Sequence, residues 1–193
     1  HRAGARPAAA GQPAGPPGRL LGMYKWSRRK AVAGVLIAAM TSTLMACTVP
    51  RHGLTGVRLD AQGRLIAVLA WCPGKAPDGV TLHTQEEKPE LQIRYQAPKL
   101  SGTFAETGLS EPSPGWTASA RLPALNPERE YRVYGWTGDN STSTRGVEFT
   151  LAKLRADGSI FLQGEYDEKT DSWPDVHLSP DEFRDAVDRM VGC

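Results

Sequence analysis

Acidic residues are missing from the first 46 positions, which carry seven Lys and Arg and not one Asp or Glu. From Cys47 onward the balance reverses to 16 basic against 21 acidic residues, so the formal +2 combines a leader of +7 with a body of −5. The alkaline pI of about 8.5 therefore reflects the leader. It is not a nucleic-acid signal, because the body has no Lys/Arg cluster with interleaved aromatics, and no nucleic-acid partner is expected. Long apolar runs are also lacking. The apolar run Ala31 to Ala46 has 16 residues without charge and is interrupted by Thr41-Ser42-Thr43. A membrane-crossing helix needs about 20. Cysteine is scarce, with only Cys47, Cys72 and Cys193. From Cys47 onward His-Glu-x-x-His, Gly-x-Ser-x-Gly, Ser-x-x-Lys, a phosphate loop and a zinc cysteine pair are all absent. Beyond His1, the histidines His52, His83 and His177 are scattered. No catalytic residue and no cofactor is assigned, and the chain is not read as an enzyme. No internal repeat is apparent.

What is present begins with an export signal: Lys25, Arg28, Arg29 and Lys30, then the apolar run, then Leu44-Met45-Ala46-Cys47. Ending in a small residue and cysteine, this stretch resembles the lipobox of bacterial lipoproteins. The resemblance implies acylation of the Cys47 thiol, cleavage before it, and attachment to the extracytoplasmic face of the cell membrane. Two or more acyl chains, at about 0.8 kcal/mol per buried methylene, hold a protein on a bilayer durably. Arg28-Arg29 leaves the twin-arginine route open beside the general one, although the residues after the pair, Lys30, Ala31 and Val32, are weakly hydrophobic. Residues 1–22, rich in Ala, Gly, Pro and Arg, are read as disordered or as an upstream extension, with Met23 the better initiator. The divisions expected are thus an extension over 1–22, a lipoprotein signal peptide over 23–46, a tether over 47–55 and one domain over 56–193. With its compositional bias and lipobox, the chain resembles small lipoproteins of actinobacterial genomes.

From Gly56 the hydrophobic pattern has period two, in short runs divided by turn residues. Strands are expected at Gly56–Leu59, Leu65–Trp71, Val80–Thr84, Leu91–Tyr95, Trp116–Leu122, Tyr131–Thr137 and Val147–Leu151, with Lys99–Pro114 as a loop. Leu65–Trp71 is apolar at both parities and should be covered on both faces. Seven short strands in this spacing point to a mainly β sandwich. The run Leu125-Asn126-Pro127-Glu128-Arg129-Glu130-Tyr131 resembles the corner before the sixth strand of fibronectin type III domains. In that family a tyrosine hydroxyl bonds back to the corner. Trp71, followed closely by Pro73, resembles the tryptophan closing the family's second strand. Gly135 departs from that pattern, standing where a β-branched residue is usual.

The C-terminus changes character. Ile160-Phe161-Leu162 reads as one more strand, and Ser179-Pro180-Asp181-Glu182 is a capping box with proline at the first helical position. Phe183, Ala186, Val187, Met190 and Val191 share one helical face. A helix of about 11 residues is marginal alone and must dock. With Cys47 set aside for lipid, the expected disulfide is Cys72–Cys193. It would staple the C-terminal α-helix onto the sheet holding Leu65–Trp71, over Ile66, Val68 and Ala70.

Two places bear on function. Asp167 to Asp175 gathers oxygens as a calcium loop would, but without the glycine and ligand order of an EF-hand. Tyr134 and Trp136, opposite in parity to Tyr131 and Val133, are expected as an exposed aromatic face for a sugar or protein partner. The reading is a binding or structural module of the cell surface, held to the membrane by lipid, with a cell-envelope protein or glycan as partner. A small extracytoplasmic hydrolase or enzyme accessory is the alternative. A solute-binding lipoprotein is less apt, since two lobes and a hinge need many more than the 147 residues after the signal.

Overall fold

The computed structural model describes residues 48–84 and 91–193. Cys47 and the stretch read as a signal peptide therefore lie outside the described residues. Within them the protein is mainly β, with one C-terminal helix. The strands are β1 (Arg51–Leu59), β2 (Leu65–Trp71), β3 (Gly79–His83), β4 (Gln92–Gln96), β5 (Phe104–Gly108) and β6 (Thr117–Ala118). Then follow β7 (Tyr131–Trp136), β8 (Ser143–Arg145), β9 (Val147–Phe149), β10 (Ile160–Gln163), β11 (Asp175–Leu178) and helix α1 (Pro180–Val191). A 3-10 turn covers Leu151–Lys153.

These strands form one curled sheet with β1 as its branch point. Along one edge β1 pairs with β2, and β2 with β5, all antiparallel. Along the other edge its first half runs parallel to β8, through Arg51 and Leu54, and its second half meets β10 at Val57↔Phe161. A second run of pairs joins β4 to β3, β3 to β7, and β7 to both β8 and β9. The sheet curls until β2 and β5 face β7 and β4. Leu69 of β2 comes up against Gly135 of β7, and the Tyr95 hydroxyl of β4 donates to the Leu109 carbonyl beyond β5 at 2.7 Å.

Side-chain parity explains the core. On β7 Tyr131 and Val133 are buried toward β2, and their register partners Leu82 and Phe149 are buried with them. Gly135 is the departure the strand needs. A Cβ there would lie 2.9 Å from Thr144 Cγ2, and its N–H donates to Thr144 Oγ1 at 2.6 Å and to Thr55 Oγ1 at 3.2 Å. At Gly146, where β8 leaves β7 to reach β1, a side chain would collide with the Val133 carbonyl. The corner before β7 is closed by Tyr131, whose hydroxyl accepts from Asn126 N at 2.8 Å and donates to Asn126 O at 3.3 Å.

The helix docks where β2 needed cover. Register places Leu54 and Gly56 opposite Ala70 and Val68, on one face. The absence of a side chain at Gly56 admits Phe183, whose Cε2 would stand 3.0 Å from a Cβ there. The Arg184 guanidinium lies 4.2 Å from the ring centre of Phe104, the register partner of Ala70. Phe183, Ala186 and Val187 are buried, Met190 and Val191 half-buried. Ser179 accepts from Glu182 N, Glu182 reaches back to the Ser179 N–H at 2.8 Å, and Gly192 ends the helix at φ +70°. Cys72 and Cys193 then come to disulfide distance, with Cα atoms 5.4 Å apart.

Three expectations are corrected. β1 begins at Arg51, inside the stretch read as tether, because its first residues gain β8 as a partner. Lys99–Pro114, read as loop, holds β5, which pairs along the free edge of β2 over Ile66–Ala70. Trp116–Leu122, read as a strand from clean alternation, forms only the exposed two-residue β6, since beyond Ala118 it has no ladder partner.

Candidate binding cleft

The alternation that turns Tyr131 and Val133 inward sends Arg132, Tyr134 and Trp136 to the other face of β7. Their predicted orientation is found, but their predicted exposure is not. Trp136 is only 9% exposed. Its ring spreads over Gly79, where a Cβ would sit 2.6 Å from Cζ2, and the Arg94 guanidinium caps it 4.2 Å from the centroid. Tyr134 is half-buried, edge-on to His83 at 5.7 Å. Cross-strand neighbours on β3 and β4 have thus taken up the ring faces. Both rings line a cavity of about 270 Å³, together with Thr48, Val49 and Arg51.

Among the described residues the large apolar side chains left exposed are Tyr166, at 45%, and Trp173, at 53%. Both belong to the acidic stretch before β11, where only a cation had been considered. Their ring centroids are 5.3 Å apart. The stretch folds back through the Asp167↔Ser172 bridge, with Asp167 Oδ1 accepting from the Lys169 N–H and Tyr166 donating its hydroxyl to Asp171. Among the described residues no group of three or more His, Cys, Asp or Glu side chains converges as a metal site, so the oxygens of this loop serve its own turn. The available signal was two aromatics in an otherwise polar loop. What it lacked was the neighbour that makes them a site.

That neighbour is a cleft of about 470 Å³, walled by Arg51, Arg132, Arg145, Glu148, Lys153 and Trp173, with Glu130, Gln163 and Asp175 at its margins. Its walls come from β1, β7, the β8–β9 segment, the 3-10 turn and the segment leading into β11. Arg145 donates to the Gly164 carbonyl and stacks on the Trp173 indole, 4.5 Å from its centre. Burial lowers the Arg145 pKa, and the Arg51 charge lowers it further. Arg132 pairs with Glu148 at 3.5 Å and Lys153 with Asp175 at 3.0 Å. The Gln163 amide clamps the Glu148 backbone, accepting from its N–H at 3.0 Å and donating to its carbonyl. This cleft shares Arg51 and Arg132 with the smaller cavity. Forked guanidiniums, carboxylates and a planar indole are groups that recognise and orient a ligand, and the Ser172 hydroxyl lines the cleft beside them.

The nearest approach to a hydrolytic arrangement is Ser159, whose Oγ lies 3.3 Å from His177 Nδ1. Its hydroxyl also engages Asp157 Oδ1 at 2.6 Å, and that carboxylate accepts the Ser159 N–H as well. The carboxylate therefore holds the serine rather than orienting the imidazole, the reverse of what a catalytic triad needs. Burial, with help from Arg155, lowers the His177 pKa. No helix among the described residues is long and apolar enough to cross a membrane. No protein-family model, curated protein or solved structure matches this chain.

Proposed function

We propose that this chain is a membrane-tethered binding module of the extracytoplasmic surface, held by lipid on Cys47 and presenting the cleft beside Trp173 to a cell-envelope protein or glycan. The observation that carries the binding role is the half-exposed Trp173 indole set against a walled, charged cleft. Leaving a large aromatic in water forgoes the hydrophobic stabilisation of burying it, and such residues concentrate where a partner later covers them. The anchor rests on the lipobox and on the charge reversal at Cys47. A fibronectin type III-like sandwich is supported by the pairing runs β1–β2–β5 and β4–β3–β7–β9, and by the Tyr131 corner.

Two measurements test this reading. Cells grown on labelled palmitate should yield labelled protein, and Cys47→Ala should release it from the membrane fraction. An unlabelled protein with its leader attached removes the anchor. Envelope material retained by immobilised full chain should be lost with Trp173→Ala and kept with Tyr166→Phe. Equal retention by the Trp173 variant removes the cleft from function.

A further inference from the structure

Counting charges in the cleft separates what is satisfied from what is waiting. Four cations, Arg51, Arg132, Arg145 and Lys153, line the cleft with three carboxylates, Glu130, Glu148 and Asp175, and Glu165 stands near enough to Arg145 to favour its charge. Arg132 and Lys153 have acidic partners. Arg51 and Arg145 make no ion pair with a carboxylate among the described residues, although they stand close enough to repel each other. Two neighbouring guanidiniums of this kind are held by the parallel pairing of β1 with β8, through Arg51↔Ser143 and Leu54↔Arg145. Glu165 offsets part of the repulsion felt by Arg145, and neither guanidinium forms a bidentate pair among the described residues, so an entering carboxylate would accept forked donors at both oxygens.

The remaining walls describe the rest of the ligand. Trp173 contributes a flat apolar surface at the mouth, as the C–H face of a pyranose ring requires. Around it stand planar, bidentate groups of both signs, Arg132 and Glu148, suited to adjacent hydroxyls that donate and accept together, on a backbone that the Gln163 amide holds in place. A volume of about 470 Å³ lies within the roughly 300–1,000 Å³ usual for small-ligand clefts. We infer that the cleft binds a carboxylate-bearing sugar of a cell-envelope glycan, with the acid between Arg51 and Arg145 and the ring against Trp173. This inference rests on the binding-module reading above and supplies its ligand class.

The test is an array of immobilised oligosaccharides ending in glucuronate, galacturonate or muramate, each beside its methyl ester, probed with the full chain. At least one free acid should be bound, with at least tenfold weaker binding of its ester. Arg51→Gln should lower binding of the acid at least tenfold with an unchanged melting temperature, and Arg51→Gln/Arg145→Gln should lower it further. Trp173→Leu should weaken acid and ester alike. Sodium acetate at equal carboxylate concentration should not compete. An array on which no acid is bound, or esters bind as well as acids, overturns the proposal. So does full competition by acetate, which would make this an anion site only. Arginine-dependent capture by phosphatidylglycerol vesicles in place of sugars would overturn it in favour of a lipid surface. Loss of envelope binding in Trp173→Ala together with an empty array sinks the ligand class and leaves the binding module standing.

Discussion

Single residues set the tolerances of this fold, and Gly135 is the most exacting. Its N–H is shared between Thr144 and Thr55, and its missing side chain is the space into which Leu69 and Thr144 close. Overpacking a filled core costs about 1–3 kcal/mol, and displacing the threonines adds a buried unpaired donor. Gly135→Val should therefore lower unfolding free energy by at least about 2 kcal/mol in urea titration, despite the better strand propensity of valine. Tyr131→Phe is a milder probe. It removes two bonds to Asn126 while keeping the ring against Phe149, and a loss of about 1–2 kcal/mol is expected. The corner tyrosine was legible because its neighbours form a recognisable turn. The need for glycine at 135 was not, since it arises from Leu69, 66 positions away.

Among the elements, α1 and β5 mark the limits of local information. The helix was readable throughout: cap, proline, apolar stripe and terminal glycine are coded within 14 residues. Its capping box makes a pH prediction. Hydrogen bonds from the Ser179 backbone and side chain lower the Glu182 pKa below its usual value. A depressed carboxylate contributes stability above its unfolded pKa and loses it as pH falls through the folded one. The melting-temperature advantage of wild type over Glu182→Gln should accordingly be full at pH 7 and shrink as pH falls below the ordinary glutamate pKa of about 4.3. Cys193→Ser tests the staple. Cys72 and Cys193 are 121 positions apart. Opening so long a loop costs up to about 5 kcal/mol in the chain-entropy picture. The variant should melt well below wild type and expose the face of Val68 and Ala70 to hydrophobic dyes. Phe104–Gly108 gave no such local signal. Its strand state comes from the open edge of β2 and from the Arg58–Glu106 ion pair at 2.8 Å, both supplied by distant chain.

For the whole molecule, the expected aromatic face and the observed one differ for a reason of packing. Tyr134 and Trp136 do lie on the face opposite the core, as period two requires, but β3 and β4 bring His83, Gly79 and Arg94 over them. Trp173 is left open instead, because β10 and β11 set its loop at the rim of a cleft. Of the tryptophans in the described residues, Trp71, Trp116 and Trp136 are buried. Acrylamide quenching of the protein after signal removal should therefore fall sharply in Trp173→Phe and hardly change in Trp136→Phe.

The sequence alone determined the β character of the body, the double coverage of Leu65–Trp71, the capped helix and the pairing of Cys72 with Cys193. Each is written in the period, spacing or chemistry of neighbouring residues. The stretch that resembles an export signal and lipobox is equally local, and the address proposed from it awaits labelling. Only the tertiary structure decided which strand takes the edge of β2, which aromatic stays in water, and that arginines from β1, β7 and β8 gather around one opening. Those outcomes depend on contacts between residues tens of positions apart, and a linear pattern records the faces of elements but not which faces meet.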